Sequence, residues 1–165
     1  MKYNFNERVH DKEGRDLLRT ICIGNGLDIG SADRPICENA LRIDINPEYK
    51  PNILCDMSNI PLEDNSQDFI VASHVLEHSD NTIGCLKEWI RLLKPNSKIG
   101  ILVPHGEFVD YIDLGDSSLT HRTLFTEKTL ELFLKHIGFK EVEVKRIERP
   151  LAYNKSPAII AFAVK

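Results

Sequence analysis

Five short apolar runs constrain this chain more than anything else in it. They are Gly26-Leu27-Asp28-Ile29-Gly30, Leu41-Arg42-Ile43-Asp44-Ile45, Asn52-Ile53-Leu54-Cys55-Asp56, Asp68-Phe69-Ile70-Val71-Ala72-Ser73 and Ile99-Gly100-Ile101-Leu102-Val103. Runs of this length bounded by turn-forming residues read as buried strands. The fourth is apolar almost throughout, as a central strand covered on both faces should be. Asn46-Pro47 stops the second run and Pro104 closes the fifth.

Between the fourth and fifth runs the periodicity changes. Leu86, Trp89, Ile90 and Leu93 fall at i, i+3, i+4 and i+7, which predicts a helix over about 82–94 with one apolar stripe. Lys94-Pro95-Asn96 ends it. A second helix is expected over 127–137, with Thr126 as N-cap, Phe125 and Leu130 as a staple, and Gly138 just past its end. Leu130, Phe133, Leu134 and Ile137 form its buried stripe. Residues 10–22 read as a short leading helix weakened by Gly14, and 34–40 as one or two helical turns. Only Asn46 to Pro51 separate the second and third runs, so any helix there is missing or reduced to a turn.

Strands alternating with helices imply a mostly parallel sheet with right-handed crossovers. Two last strands, near 141–148 and 158–164, have too short a link for a helical crossover and should be antiparallel neighbours. The expected fold class is therefore α/β, a doubly wound, mostly parallel seven-stranded sheet ending in an antiparallel hairpin. The 165 residues fit one domain: a leading helix or arm over 1–24, a ligand-binding half over 25–104, and a loop with the terminal hairpin over 105–165. Hydrophobic residues at 42% supply a core, and the formal charge of −4 without a Lys/Arg cluster argues against nucleic acid. No stretch is apolar enough to span a bilayer, and a cytoplasmic location is expected. Cys22, Cys37, Cys55 and Cys85 show no Cys-x-x-Cys pair and read as reduced thiols.

Ligands of open α/β sheets bind beyond the carboxyl ends of the strands. The first strand offers Asp28, Gly30, Ser31, Ala32 and Asp33 there; the second offers Asp44; the third, Asp56 and Met57; the fourth, Ser73 and His74; the fifth, Pro104 and His105. One acid after a strand usually caps a turn. Three in succession, with a glycine turn between them, make an acidic edge. An acid after the second strand can accept both hydroxyls of a ribose, and one after the third can accept from an exocyclic amine. Such an edge suits S-adenosylmethionine, whose sulfonium and ammonium outnumber its one carboxylate. It suits NAD poorly: a pyrophosphate needs bare backbone N–H groups, and Gly24-Asn25-Gly26 precedes the first strand instead of following it.

At these residues the chain resembles class I S-adenosylmethionine-dependent methyltransferases of the small-molecule type. Leu27-Asp28-Ile29-Gly30-Ser31-Ala32-Asp33 is similar to their first motif, and Ile43-Asp44-Ile45 to their second-strand acid. Cys55-Asp56-Met57 and the run from Ile60 to Asp68 are similar to their adenine-binding segment. Ser73-His74-Val75-Leu76-Glu77-His78, Leu92 to Lys98, and Phe125 to Phe139 extend the likeness over about 25–164. The resemblance implies a Rossmann-like fold and S-adenosyl-L-methionine as cofactor. It implies that Asp28 and Gly30 hold the methionine end, Asp44 the ribose, and Asp56 and Met57 the adenine, with Ser31 and Ile45 also among the cofactor-binding residues. Ser73 and His74 would line the methyl-donor mouth. The chain departs from the pattern at Ala32 and Asp33, where the family usually has further glycine.

His74-Val75-Leu76-Glu77-His78 also fits a zinc-peptidase pattern. That pattern requires one long helix carrying both histidines, whereas here a strand runs directly into His74, so no metal is expected. His78 reads as a helix-start residue, and His10 and His136 as surface residues. The irregular stretch 105–122 holds Asp110, Tyr111, Asp113, His121 and Arg122, which could orient a polar acceptor. His105, and after it His74, are the candidate general bases. The leading functional expectation is methyl transfer to a small-molecule acceptor. The alternatives are a non-catalytic S-adenosylmethionine-binding regulatory or partner protein, and a nicotinamide-dependent oxidoreductase, against which the acidic glycine loop and terminal hairpin argue. No membrane or nucleic-acid partner is expected, and the sequence does not fix the oligomeric state.

Overall fold

The computed structural model describes residues 12–107, 121–148 and 157–165. It contains one seven-stranded sheet: β1 (Gly26–Ile29), β2 (Leu41–Asp44), β3 (Ile53–Leu54), β4 (Gln67–Ser73), β5 (Leu93–Pro104), β6 (Lys140–Ile147) and β7 (Ala158–Val164). The helices are α1 (Lys12–Arg19), α2 (Thr82–Leu92) and α3 (Glu127–Ile137). The spatial order is β3-β2-β1-β4-β5-β7-β6. The strands from β3 to β5 pair in parallel, whereas β7 runs antiparallel to both β5 and β6. The expected parallel sheet with a terminal antiparallel hairpin is what forms, and β7 is inserted between β5 and β6.

β4 shows why the sheet is central. Ile70 and Ala72 belong to one buried cluster, with Trp89 and Leu86 of α2 and Leu130 and Leu134 of α3. Phe69 and Val71 belong to a second cluster, with Leu18 of α1 and Leu102. Successive side chains of a strand point to opposite faces, so a strand between two helical layers must be apolar at every position. Full burial of each such aliphatic or aromatic side chain contributes about 1.5–3 kcal/mol. Gly14, which weakens α1 as a helix, is buried against β5. A Cβ there would lie 2.8 Å from both Leu102 methyls, so close approach outweighs helix propensity.

Asn81 accepts from the Gly84 amide at 2.9 Å to start α2, and the caps of α3 are the ones the sequence predicts. Thr126 and Thr129 exchange side-chain and backbone bonds to start α3, and Gly138 ends it at φ 108°. Three expectations need correction. Residues 34–40 form turns and no helix. β5 begins at Leu93, which pairs with Gln67 before the register shifts and resumes at Lys98 with Phe69. The helix was expected to run on to Lys94, but the tight link lets the end of α2 feed directly into the sheet.

The third correction concerns cysteine. Cys22 and Cys37 are disulfide-bonded, with Cα atoms 6.3 Å apart, while Cys55 and Cys85 are free thiols. The 31–37 loop folds back across the end of α1, where Arg15 and Arg19 donate to the carbonyls of Arg34, Pro35 and Ile36. That return path brings two distant cysteines together, and no local spacing in the sequence announces it.

The short β2–β3 link contains a 3-10 turn, Pro47–Tyr49, capped by Asn46. The two strands nevertheless pair in parallel, over only two residue pairs. Such an edge strand can be this short because it covers little core. Among the described residues, no helix is long and apolar enough to cross a membrane.

Candidate functional site

The sheet order reverses direction between β1 and β4, and this switch point is where open α/β sheets bind ligands. A cleft opens there at the carboxyl ends of β1, β2 and β4, with a cavity of about 430 Å³. That lies within the usual range for small-molecule sites, about 300–1,000 Å³. Of the residues singled out in the sequence, Gly30, Asp44, Ile45, Asp56, Met57 and His74 line it. Asp28, Ser31, Ser73 and His105 are not among its lining residues.

Gly30 sits at φ +68°, and a Cβ there would collide with Val75. Its amide donates to the Ile43 carbonyl at 2.8 Å, tying the turn to β2. Ala32 occupies the left-handed region at φ 47°. The departure from glycine at that position therefore keeps the backbone conformation glycine would supply, at some steric cost.

Asp44 is held between two loops. Oδ2 accepts from the Ala32 amide at 3.0 Å and Oδ1 from the Asn46 amide at 2.9 Å. A carboxylate offers about four acceptor positions, so each oxygen can still accept a bond from a ligand. A residue without a sequence motif braces this arrangement. Arg42 donates to the carbonyls of Ala32 and Tyr49 and to the Ser31 hydroxyl, clamping both loops beside Asp44. A charged residue inside an apolar strand was the available signal. Tyr49, from the same turn, also lines the cleft.

The third-strand side is fixed by α2. Asp56 Oδ1 accepts from the Ser58 amide at 2.7 Å. The Trp89 indole donates to the Met57 carbonyl at 2.9 Å, and Glu88 accepts from the Ile60 amide at 2.8 Å. Arg91 donates to the carbonyls of Ile60 and Leu62. The amphipathic stripe thus has a polar flank that shapes the cleft's wall.

Asp28 lies behind the cleft. It is 1% exposed, and its carboxylate accepts from the Ile36 amide. Burial pushes its pKa up to about 6, against backbone bonds from Ile36 and Cys37 that favour the charged form. In this position it shapes the loop carrying Ser31 and Ala32. Ser31 is itself buried.

His105 is also buried, at 3% exposure. Its Nε2 lies 2.9 Å from Glu127 Oε2, and its Nδ1 accepts from the Glu107 amide at 3.2 Å. An acceptor Nδ1 requires the proton on Nε2 in the neutral ring, so both ring nitrogens are engaged in joining β5 to the start of α3. Desolvation works to raise the Glu127 pKa, but its own backbone amide, His105 and Arg146 together outweigh it and hold the carboxyl below its ordinary value.

His74 stands at φ +53° at the exit of β4, and its amide donates to the Leu102 carbonyl at 2.8 Å. Its Nδ1 lies 3.4 Å from Glu77 Oε1. The 3-10 turn Leu76–His78 follows, so His74 and His78 do not share a long helix and the zinc-peptidase geometry does not form. His78 lines the cleft beside His74. His121 packs on His78 with ring centroids 5.0 Å apart. Burial lowers the His121 pKa, and His78 and His74 add to this against the nearby Glu77 carboxylate. Arg122 pairs with Asp80 at 3.1 Å. Asp110, Tyr111 and Asp113, together with His10, lie outside the described residues.

Comparison with known proteins agrees with the fold. Residues 20–101 match the family model described as a methyltransferase domain. Curated protein sequences give no match. An S-adenosylmethionine-dependent methyltransferase from Archaeoglobus fulgidus is similar in fold, at TM-score 0.74 and 18% identity, covering 94% of this chain and 97% of that one. So is Burkholderia thailandensis 1,6-didemethyltoxoflavin-N1-methyltransferase, solved with 1,6-didemethyltoxoflavin and S-adenosylhomocysteine, at TM-score 0.74 and 16% identity, covering 96% and 79%. The third is Haemonchus contortus phosphoethanolamine N-methyltransferase 2, at TM-score 0.74 and 15% identity, where 93% of this chain covers 53% of that one. Residues 20–101 thus carry a methyltransferase domain, and the fold is that of the class I S-adenosylmethionine-dependent methyltransferases.

Proposed function

We propose that this protein binds S-adenosylmethionine in the cleft at the β1–β4 switch and transfers its methyl group to a small-molecule acceptor. The observation that carries the reading is Asp44, an anionic acceptor on the cleft wall braced by two backbone amides and the Arg42 clamp. The residues present fit the cofactor. Gly30 leaves the backbone bare where its methionine end would lie, Asp44 faces the ribose position, and Asp56 with the Met57 backbone lines the adenine position. Asp28 and Ser31 support the methionine end from behind by holding the loop.

When bound, S-adenosylmethionine supplies a methyl group already activated by its sulfonium. The chain's own contribution is then positioning and exclusion of water. His74 and Val75 narrow the mouth at the end of β4. His74 is the residue placed to take a proton from an acceptor, because it is on the cleft wall and about a quarter exposed. His105 acts by fixing the segment that leads to α3. Small-molecule acceptors in two of the similar enzymes support an acceptor of that kind here.

The test has two stages. Isothermal titration should show binding of S-adenosylhomocysteine and none of NAD, with a raised melting temperature because the ligand binds only the folded state. Radiolabelled methyl transfer to a panel of small amines, phenols and thiols then distinguishes an enzyme from a binding protein. Binding of NAD alone would refute the reading.

A further inference from the structure

The most costly unexplained group among the described residues is Glu77. Its side chain is 1% exposed; neither carboxylate oxygen has a hydrogen-bond partner, and His74 Nδ1 stands 3.4 Å from Oε1, an ion pair only when that ring is protonated. A buried carboxylate in that state is strongly disfavoured unless a positive charge sits beside it. Its backbone, in contrast, is used. The Glu77 carbonyl accepts from the amides of Arg122 and Thr123 at 2.7 and 3.1 Å. Thr123 also meets Thr82 and Ser79 through its hydroxyl. These bonds clip the chain after position 120 onto the turn that follows β4, and they deliver His121 to the same place as His78.

The result is a set of three donors. One ligand atom from each of Glu77, His78 and His121 lies within 4.8 Å of the others. Two imidazoles packed this closely repel one another when protonated, but as neutral rings they both offer lone pairs to one cation. We propose that Glu77, His78 and His121 form a binding site for a divalent metal ion of the zinc class, at the edge of the cofactor cleft. Two histidines and one carboxylate match the donor preference of zinc, and a three-ligand set keeps a position open for water or an acceptor atom. His78 borders the cleft directly, so that open position is close to where an acceptor would enter. The pattern from His74 through Glu77 to His78 gives no reason to expect metal, because its two histidines do not share one helix. The fold replaces His74 with His121, which is 43 residues beyond His78 and has no spacing signal.

None of the three donors is assigned to the cofactor, so the two readings can fail separately. The full chain, stripped with a chelator, is titrated with Co²⁺ and followed by its ligand-field absorption, then back-titrated with Zn²⁺. One equivalent of saturable Co²⁺, displaced by Zn²⁺, is expected. Glu77→Gln and His121→Ala should each weaken binding by at least about tenfold, whereas His136→Ala, on the exposed end of α3, should not. Circular dichroism and S-adenosylhomocysteine titration on the chelated proteins report whether each variant is folded. Should Glu77→Gln fail to fold, His121→Ala decides the matter from its half-buried surface position. Absence of saturable Co²⁺ binding by the native protein overturns the proposal, as does binding that His121→Ala leaves unchanged.

Discussion

Asp44 offers the sharpest test of how the cleft works. Replacing it with alanine removes two things at once: the acceptor for the Ala32 and Asn46 amides, and the anionic acceptor proposed for the ribose. The two effects separate by magnitude. Asp44 is half-buried, so water can reach the released amides. Each lost bond should cost stability about 0.5–1.5 kcal/mol, leaving a cooperative fold with a lower melting temperature. A ligand hydroxyl bonded to a charged acceptor contributes about 1.5–3 kcal/mol. Affinity for S-adenosylhomocysteine should therefore fall by about tenfold to a hundredfold per bond. The assay is isothermal titration beside thermal melts of the same samples. Arg42→Ala serves as the control, because it slackens the same two loops through Ala32 and Tyr49 while leaving the carboxylate in place. Its affinity loss should be much the smaller. The reasoning is refuted if Asp44→Ala melts cooperatively and binds within about threefold of the native protein, or if Arg42→Ala loses as much.

Three further outcomes follow from the same geometry. Gly30→Ala should destabilise the protein by more than about 1 kcal/mol, since φ is +68° and the new methyl meets Val75; urea titration reads the stability, and S-adenosylhomocysteine affinity should fall with it. Asp28 has its folded pKa raised from 3.8 to about 6 by burial. The protonated carboxyl thus favours the folded state; its contribution is present below about pH 4 and is lost as pH rises through about 6, up to about 3 kcal/mol. Denaturation midpoints from pH 4 to 7 should show this decline in the native protein and not in Asp28→Asn, and parallel curves would remove it. Titration of thiols in the unreduced, denatured chain should find two, from Cys55 and Cys85, and reduction of Cys22–Cys37 should lower stability by about 3 kcal/mol for a loop of 15 residues; four reactive thiols before reduction would show that the pair does not form.

The layered α/β sheet is written in the order of residue types. β4 is apolar at both alternating faces, α2 and α3 carry stripes of period 3.6, and Thr126 and Gly138 mark the ends of α3. These are local patterns, and burial on one or two faces writes them directly into the order of residue types. The acids at the ends of β1, β2 and β3 were legible for the same reason, since a strand end is a local event. Which of them reach the cleft was not legible. Asp44 and Asp56 do, while Asp28 turns behind it to hold the Ile36 amide. Only the return of the 31–37 loop across α1 decides that, and the same return pairs Cys22 with Cys37. His105 looked available at the end of β5, yet Glu127 and the Glu107 amide occupy its ring. His121 looked like one residue of a long loop, yet two bonds to the Glu77 carbonyl seat it beside His78. A side chain's chemistry is set by its neighbours in space, and those neighbours arrive from distant segments whose meeting leaves no periodicity in the chain.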